Sequence, residues 1–253
     1  MDLFDEDSDD GGDSGVLAQE TRPVACGVMR FHAGIETQML QHVLDTTPRN
    51  DAPAALAAID RFCWSRHWMM HLGDAKAGIL RKALATVDRP FRGCEIGTYC
   101  GYSAVLTASL LTTGDSLLSL ETDEEACGWA RRLISHCGLS AMVTVVHVAT
   151  SAADAAREHG GVFNYLLIDH AKQLYLNDLK AFEPLLAPGC VVVADNILCF
   201  DGGDLLAPYL GHVRNKAKYS ASNLHAALVE YTDANDGEAD GVEVSVFRGS
   251  EAA

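Results

Sequence analysis

The alternation of apolar and polar segments after about residue 90 predicts an α/β fold. Five short apolar runs, most of them ending in a polar residue, predict strands over residues 92–96, 116–121, 143–147, 165–169 and 191–195. The segments between them have helical periodicity and predict helices over residues 103–111, 123–137, 152–159 and 174–185. Strands that alternate with helices in this way form a parallel sheet with helices on both faces.

The segments on either side of this core complete the predicted fold. Upstream, helical patterns predict helices over residues 36–44, 54–66 and 75–86. Downstream, runs at 226–231 and 242–247 flank an Asp/Gly-rich turn and predict an antiparallel hairpin at the sheet edge. We therefore predict a doubly wound, mostly parallel, seven-stranded Rossmann-like sheet with a C-terminal hairpin and extra N-terminal helices.

Composition and charge indicate one domain with an acidic tail. The 253 residues, 48% of them hydrophobic, suit a single α/β domain at residues 21–253, with helices in 36–88 and the sheet in 89–248. The formal net charge is −16, and seven acidic residues fall within the first 15 residues, which contain no Lys or Arg. Residues 1–20 are therefore expected to be a disordered, solubilising tail. The negative charge disfavours nucleic acid as a partner.

Several sequence patterns are absent, and their absence restricts the cellular location and the kinds of site that we expect. No apolar run is long enough to span a bilayer, and the acidic N-terminus is unlike a secretory or mitochondrial signal. The eight cysteines form no C-x-x-C pair, and the ten histidines show no zinc-site spacing. We therefore expect a cytoplasmic monomer with reduced thiols that acts on a small molecule.

The segment EIGTYCGYS, residues 95–103, predicts a ligand-binding turn at the end of the first core strand. Glu95 ends the strand, and Gly97 and Gly101 permit positive φ angles and close approach of a ligand. The E-x-G-x-x-x-G spacing differs from the G-x-G-x-x-G of dinucleotide folds and favours a nucleoside with a charged amino-acid end. A purely structural turn is the alternative. At the end of the second strand, Glu121 is placed either to bind both hydroxyls of a ribose or to remain a solvated charge.

A second polar group follows the fourth and fifth core strands. Asp169, Asp195 and Asn196 come where apolar runs end, and parallel strands bring their carboxyl ends to one rim. Two carboxylates and an amide oxygen suit Mg²⁺, although such side chains also cap helices. Lys172 lies three residues beyond Asp169. A nearby divalent cation would disfavour its charged form and allow it to act as a general base.

Seven short blocks in a fixed order resemble a known family. They are QHVL at 41, AIDRFC at 58, W-x-M-x-x-GD at 68, EIGTYCGYSAV at 95, IDHxKxxY at 168, ADNIxC at 194 and LVEY at 228. Over about residues 36–248 the chain resembles the catechol O-methyltransferases, which use S-adenosylmethionine and require Mg²⁺. The resemblance implies transfer of a methyl group to a hydroxyl of a catechol-type small molecule.

The resemblance also implies a role for each matching residue. The implied cofactor shell consists of Leu72, Glu95, Gly97, Tyr99, Gly101, Ser103, Glu121, Thr122, Thr150, Ser151, Asp169 and His170. The implied metal ligands are Asp169, Asp195 and Asn196. The implied acceptor pocket consists of Trp68, Met70, Lys172, Asn196 and Glu230. Within it, Lys172 matches the general base and Glu230 matches the carboxylate that holds the second catechol hydroxyl.

Two positions depart from the family pattern and leave other acceptors open. Ala171 stands where the family usually has tryptophan, and Phe200 stands where it usually has proline; both normally wall the acceptor ring. One alternative is an O-methyltransferase for another vicinal-diol aromatic of the caffeoyl or flavonoid type, although that group lacks the W-x-M block and the D-H-x-K pairing. A catalytically silent binding protein would not need the intact polar set. A nicotinamide dehydrogenase would need G-x-G-x-x-G.

Overall fold

The computed structural model describes residues 34–199, 202–233, 235 and 237–249, and its centre is one seven-stranded sheet. The strands are β1 (Arg92–Ile96), β2 (Ser116–Glu121), β3 (Val143–His147), β4 (Phe163–Ile168), β5 (Leu186–Ala194), β6 (Tyr219–Leu228) and β7 (Ala239–Phe247). Their order across the sheet is β3-β2-β1-β4-β5-β7-β6. Strands β1 to β5 run parallel, and β7 is antiparallel to both β5 and β6. The predicted fold class is confirmed.

Helices cover both faces of this sheet. They are α1 (Ile35–Thr46), α2 (Ala52–Ser65), α3 (Gly73–Leu84), α4 (Tyr102–Ala108), α5 (Glu124–His136), α6 (Ala152–Glu158), α7 (Tyr175–Phe182), α8 (Gly202–Leu205) and α9 (Ala207–Val213). Within the described ranges, none of the helices has the length and apolar character needed to cross a membrane. The acidic tail predicted at residues 1–20 lies outside the described residues.

The central strands are buried on both faces. On β4, Tyr165 and Leu167 point into the core that contains α1 to α5, whereas Leu166 and Ile168 point into the core that contains α6, α7 and α9. All four side chains are fully buried. Burial on both faces explains why these strands appear in the sequence as continuous apolar runs instead of alternating patterns.

Several elements differ from the sequence prediction. Strand β6 begins at Tyr219, not at residue 226, and ends at Leu228, so Glu230 follows the strand. Most of its residues are exposed at the sheet edge, so no apolar run marks its first half. The helix predicted over 174–185 stops at Phe182, because Pro184 has no N–H and a 3-10 turn takes its place. Helices α8 and α9 were not predicted.

The register of β1, β4 and β5 aligns the residues that follow them. Ile96 lies opposite Ile168, and Ile168 lies opposite Ala194. Beyond these pairs, the N–H of Asp169 donates to Ile96 O at 2.9 Å and the N–H of Asp195 donates to Ile168 O at 3.1 Å. The first residues past the three strands therefore lie side by side at one rim, as predicted.

A substitution of Gly97, the first residue after β1, tests how tightly this rim is packed. Its φ is +98°, and a Cβ added there would lie 1.8 Å from the carbonyl oxygen of Asp169. We expect Gly97→Ala to lower the free energy of unfolding by more than about 2 kcal/mol, measured by urea denaturation, because both the backbone angle and the space forbid a side chain.

Gly128 on α5 provides the matched control for this substitution. It has no positive φ, and a Cβ added there would meet no atom within 4 Å. Gly128→Ala should be neutral or stabilising by up to about 1 kcal/mol, because alanine favours a helix interior. Equal effects of the two substitutions would show that the rim is not constrained at Gly97.

Candidate active site

The turn after β1 is shaped by close contacts with the protein's own chain. Gly101 has φ +89°, and a Cβ there would lie 3.1 Å from the Cα of Ala130 on α5. Tyr99, between the two glycines, also has a positive φ of 46°. Its hydroxyl donates to Glu36 of α1 at 3.0 Å. These packing demands account for both glycines, and their contact with a cofactor stays a prediction.

The Glu121 carboxylate organises the same turn. Its Oε2 accepts the N–H groups of Thr98 at 3.0 Å and Tyr99 at 2.8 Å. Its Oε1 accepts the N–H groups of Thr122 at 2.8 Å and Asp123 at 3.1 Å. A ribose hydroxyl would have to replace some of these bonds, so Glu121 has a structural role here beside the predicted ribose contact.

Glu95, at the end of β1, is a fully buried carboxylate. Ser119 donates to its Oε1 at 2.6 Å, whereas no hydrogen bond reaches its buried Oε2. Burial raises the pKa of Glu95 to about 7; hydrogen bonds from Ser119 and Ser103 oppose this rise, and the charge of Glu121 adds to it. A buried carboxylate oxygen without a partner suits the ammonium end of a bound molecule.

The other end of the rim holds a cluster of charged groups around one lysine. Lys76 of α3 is fully buried. Its Nζ lies 3.0 Å from Asp195 Oδ1, 3.1 Å from Glu230 Oε2 and 2.5 Å from Asp240 Oδ2. The lysine therefore joins the segments after β5 and β6 to the start of β7.

Mutual attraction keeps this buried lysine charged. Burial opposes the ammonium form, but the three carboxylates outweigh it and raise the pKa of Lys76 well above its usual value. Burial would also raise the pKa of Asp240, but the charge and hydrogen bond of Lys76 hold that pKa below its usual value. For Glu230, burial prevails and the pKa is raised.

Asp169 and Asp195 face each other across the same rim. Burial, followed by the charge of Asp195, raises the pKa of Asp169 well above its usual value, and the charges of Lys76 and Lys172 oppose this rise. Burial likewise raises the pKa of Asp195. The backbones of Asp169 and Asp195 therefore lie side by side, and the charge of Lys172 reaches Asp169. Metal binding by these residues and the general-base role of Lys172 stay predictions.

The donor atoms at this point fit a hard cation. Asp195 Oδ1 lies 3.0 Å from the Nζ of Lys76, and Asn196 Nδ2 donates to Asp240 Oδ2 at 3.0 Å, so the amide oxygen of Asn196 is its remaining polar atom. Among the residues that the structure describes, no three His, Cys, Asp or Glu side chains are arranged to hold a metal ion. The predicted metal ligands are the two carboxylates of Asp169 and Asp195 and the amide oxygen of Asn196. Such an all-oxygen set suits Mg²⁺ with water or substrate in the remaining positions.

Trp68 connects the predicted acceptor wall to the charged cluster. Its indole N–H donates to the carbonyl oxygen of Glu230 at 2.9 Å. Met70 and Ala171 are both partly exposed, as expected for residues that border an opening. Phe200, the other departure from the family pattern, lies outside the described residues.

His170 pairs with α7. Its Nε2 lies 2.7 Å from Asp178 Oδ2, and its ring stacks on Tyr175 with centroids 5.2 Å apart. Its Nδ1 is buried without a hydrogen bond. One ring nitrogen is therefore held by the protein and the other has no partner within it.

The remaining predicted cofactor residues lie at element ends. Leu72 is buried immediately before α3, and Ser103 is buried in the first turn of α4. Thr150 is exposed, and Ser151 caps α6 by accepting the N–H of Asp154 at 3.2 Å. Their contacts with a cofactor stay predictions.

Sequence reasoning missed Lys76 and Asp240. Lys76 lies four residues after Leu72 and four before Leu80, so it falls on the apolar stripe of α3. A lysine on a buried stripe is a signal that could have identified it. Asp240 falls at the end of the predicted turn at residues 233–240, where an aspartate is ordinary, and no sequence signal distinguishes it.

Known proteins similar to this chain are methyltransferases. Residues 94–197 match a family described as a methyltransferase domain. Catechol O-methyltransferase B of Danio rerio is 37% identical over 217 residues, covering 84% of this chain and 78% of that protein. Catechol O-methyltransferase of Bos taurus is 32% identical over 219 residues, covering 85% and 77%. An O-methyltransferase from Streptomyces achromogenes, solved in complex with SAM, aligns with a TM-score of 0.61 at 18% identity, covering 85% and 96% of the two chains.

The sheet order, the rim site and these similarities define a methyltransferase with a Rossmann-like fold. More narrowly, the chain belongs to the catechol O-methyltransferase family. The resemblance drawn from the sequence blocks is thereby confirmed.

The buried carboxyl of Glu95 makes stability depend on pH. The folded-state pKa of Glu95 is raised to about 7, so the carboxyl ionises at a lower pH in the unfolded chain than in the folded protein. As the pH rises between these two pKa values, the folded state loses stability. We expect Glu95→Gln to stabilise the protein relative to wild type by up to roughly 3 kcal/mol at pH 8, and by much less at pH 5. Urea denaturation at both pH values measures the difference, and a stability gap independent of pH would contradict the assignment.

Proposed function

We propose that this protein transfers a methyl group from S-adenosylmethionine to a hydroxyl of a catechol-type small molecule, in a reaction that requires Mg²⁺. The observation that carries the proposal is the strand register that sets Asp169 beside Asp195 at the rim where the turn after β1 begins at Gly97. Its membership of the catechol O-methyltransferase family supports both the donor and the acceptor class.

We place the methyl donor along the turn after β1. The partnerless Oε2 of Glu95 is available to the ammonium group of S-adenosylmethionine. The structural relative from Streptomyces achromogenes was solved with SAM bound, which supports this donor. The proposed contacts are Leu72, Glu95, Gly97, Tyr99, Gly101, Ser103, Glu121, Thr122, Thr150, Ser151, Asp169 and His170.

The acceptor is held and deprotonated on the opposite side of the rim. Asp169, Asp195 and Asn196 would hold Mg²⁺, which lowers the pKa of a bound hydroxyl. Lys172 takes the hydroxyl proton onto its Nζ. Glu230, anchored by the buried lysine, accepts a hydrogen bond from the second hydroxyl.

In this scheme, most of the rate acceleration comes from holding the acceptor oxygen and the methyl donor close together and in line. The deprotonated oxygen attracts the sulfonium before reaction, and that attraction is lost as the charges neutralise, so the site must hold the two partners close and in line. Close packing of Gly97 against the Asp169 backbone fixes the donor turn against the acceptor side. Trp68 and Met70 form the wall beside the transferred methyl.

A larger vicinal-diol aromatic, of the caffeoyl type, is the second candidate acceptor. Ala171 has a small side chain and precedes Lys172 in the chain, and Leu174 and Leu205 are 43% and 44% exposed. A cavity of about 160 Å³ between α7 and the α8–α9 segment is lined by both Lys172 and Leu205. Such an apolar border favours an acceptor that extends beyond the diol ring.

We also propose that the protein acts as a monomer in the cytoplasm. The seven cysteines in the described part of the chain are free and buried, which suits a reducing compartment.

Replacing Lys172 tests the proton-transfer step. We expect Lys172→Ala to lower turnover by about a hundredfold, because a general base is lost, while S-adenosylmethionine binding by calorimetry stays at the wild-type level. Lys180→Ala, which removes an exposed lysine from α7, should leave both unchanged. Turnover of Lys172→Ala at the wild-type rate would remove the general-base assignment.

Metal removal tests the reaction class. Methyl transfer to catechols, catecholamines, caffeoyl compounds and matched monophenols is measured with Mg²⁺ and with EDTA. We expect vicinal diols alone to react, and EDTA to abolish the reaction reversibly. Asp195→Asn should be inactive with Mg²⁺ because a charged ligand is lost, whereas Asp45→Asn on the exposed face of α1 should be fully active. Full activity of the wild type in EDTA would exclude the proposed role of the metal.

A further inference from the structure

Lys76 is a buried charge that the proposed reaction does not use. It lies on α3 with no exposed surface, and it projects between Asp195, Glu230 and Asp240 at 3.0, 3.1 and 2.5 Å. An ammonium group has three N–H donors, and here it meets three carboxylates that come from three different segments. A lysine in this position connects residues that are distant along the chain. Because it has no exposed surface, water does not take its place between the carboxylates.

The formal charges of the cluster leave room for one divalent ion. The carboxylates of Asp195, Glu230 and Asp240 all contact Lys76, and the charges of Asp195 and Glu230 act on the carboxyl of Asp169. Lys76 and Lys172 are the cations that act on Asp169. Lys172 must be neutral to act as the general base, so with metal bound the four carboxylates and Lys76 sum to −3 at formal charge. Without Lys76 the same groups would sum to −4.

We propose that Lys76 is a positioning residue that also sets the ion specificity of the site, because it holds Asp195 and Glu230 in place and offsets one of the negative charges around the metal. The inference rests on the proposed Mg²⁺-dependent function and extends it to a residue outside the metal ligands. A bond to Asp195 on the metal side and to Glu230 on the acceptor side keeps the two binding groups in one fixed relation.

A charge series on Lys76 and Asp240 tests this inference. The variants are Lys76→Met, Asp240→Asn and the double variant Lys76→Met/Asp240→Asn, which have formal cluster charges of −4, −2 and −3, against −3 in the wild type. Lys82→Met, an exposed lysine on the same helix, is the control. The double variant has the wild-type charge and replaces a buried ion pair by neutral groups of similar size, so it is the one expected to fold if Lys76→Met does not.

The readout is a ratio of metal affinities and does not depend on turnover. Tb³⁺ is a trivalent ion that prefers oxygen ligands, and its emission can be sensitised by Trp68, which is bonded to Glu230. Tb³⁺ binding is followed by luminescence, and Mg²⁺ binding is followed by displacement of Tb³⁺. Misplacement of Asp195 would weaken both ions, so the ratio of their affinities isolates the effect of charge.

We expect Lys76→Met to raise the preference for Tb³⁺ over Mg²⁺ at least tenfold, because one more negative charge favours the ion of higher charge. Asp240→Asn should lower this preference, and the double variant should return it to within about threefold of wild type. A preference that stays constant across the series, or that the double variant fails to restore, would overturn the role of Lys76 in ion specificity.

A separate kinetic measurement tests the positioning of Glu230. In the double variant the charge is restored but the bond from Lys76 to Glu230 is lost, so we expect the KM for the acceptor to rise at least tenfold while the ratio of Tb³⁺ to Mg²⁺ affinity stays near wild type. An unchanged acceptor KM would overturn the positioning role. Wild-type protein that binds neither ion would reject the proposed metal function itself, whereas wild-type Mg²⁺ binding with a constant ion preference would reject only this inference.

Discussion

The shared rim of β1, β4 and β5 is the constraint on which the site depends. Each strand ends at the same level, and the backbone N–H groups of Asp169 and Asp195 are bonded to carbonyl oxygens of the neighbouring strands. These two aspartates therefore cannot separate without breaking the sheet. The donor turn begins at the same level at Gly97, so the two halves of the site are adjacent because of strand register alone.

The concentration of carboxylates at this rim is unfavourable for stability by itself. Asp195, Glu230 and Asp240 are almost completely buried, and each must lose its hydration on folding. A single buried lysine offsets only part of this cost, and apolar residues of similar size would pack at least as stably. The charges therefore indicate a function that needs negative potential at this place, in contrast to the two apolar cores on either side of the sheet.

The accuracy of the sequence prediction followed the sharpness of each local apolar pattern more than burial, since β3 is mostly unburied at the sheet edge. Strands β1, β2 and β3 were predicted with the bounds that the structure shows, because their apolar runs begin and end sharply. Strand β6 was misplaced because an exposed edge strand carries little apolar signal. In the site, Asp169 and Asp195 could be predicted because they follow the ends of strands. Lys76 and Asp240 could not, because their contact joins residues more than a hundred positions apart in the chain, and local patterns do not encode such contacts. The four N–H bonds of Glu121 could not be foreseen from its place at a strand end.

The bond between Trp68 and Glu230 links two loops that are 162 residues apart in the chain. In the proposed function, one loop forms the wall beside the acceptor ring, and the other contains the carboxylate for its second hydroxyl. A ring substituent that displaces Trp68 would therefore also displace Glu230. As a result, tolerance of substituents and the choice of which oxygen is methylated are not independent traits: a change in the wall that admits a bulkier ring should also alter the regioselectivity of the product.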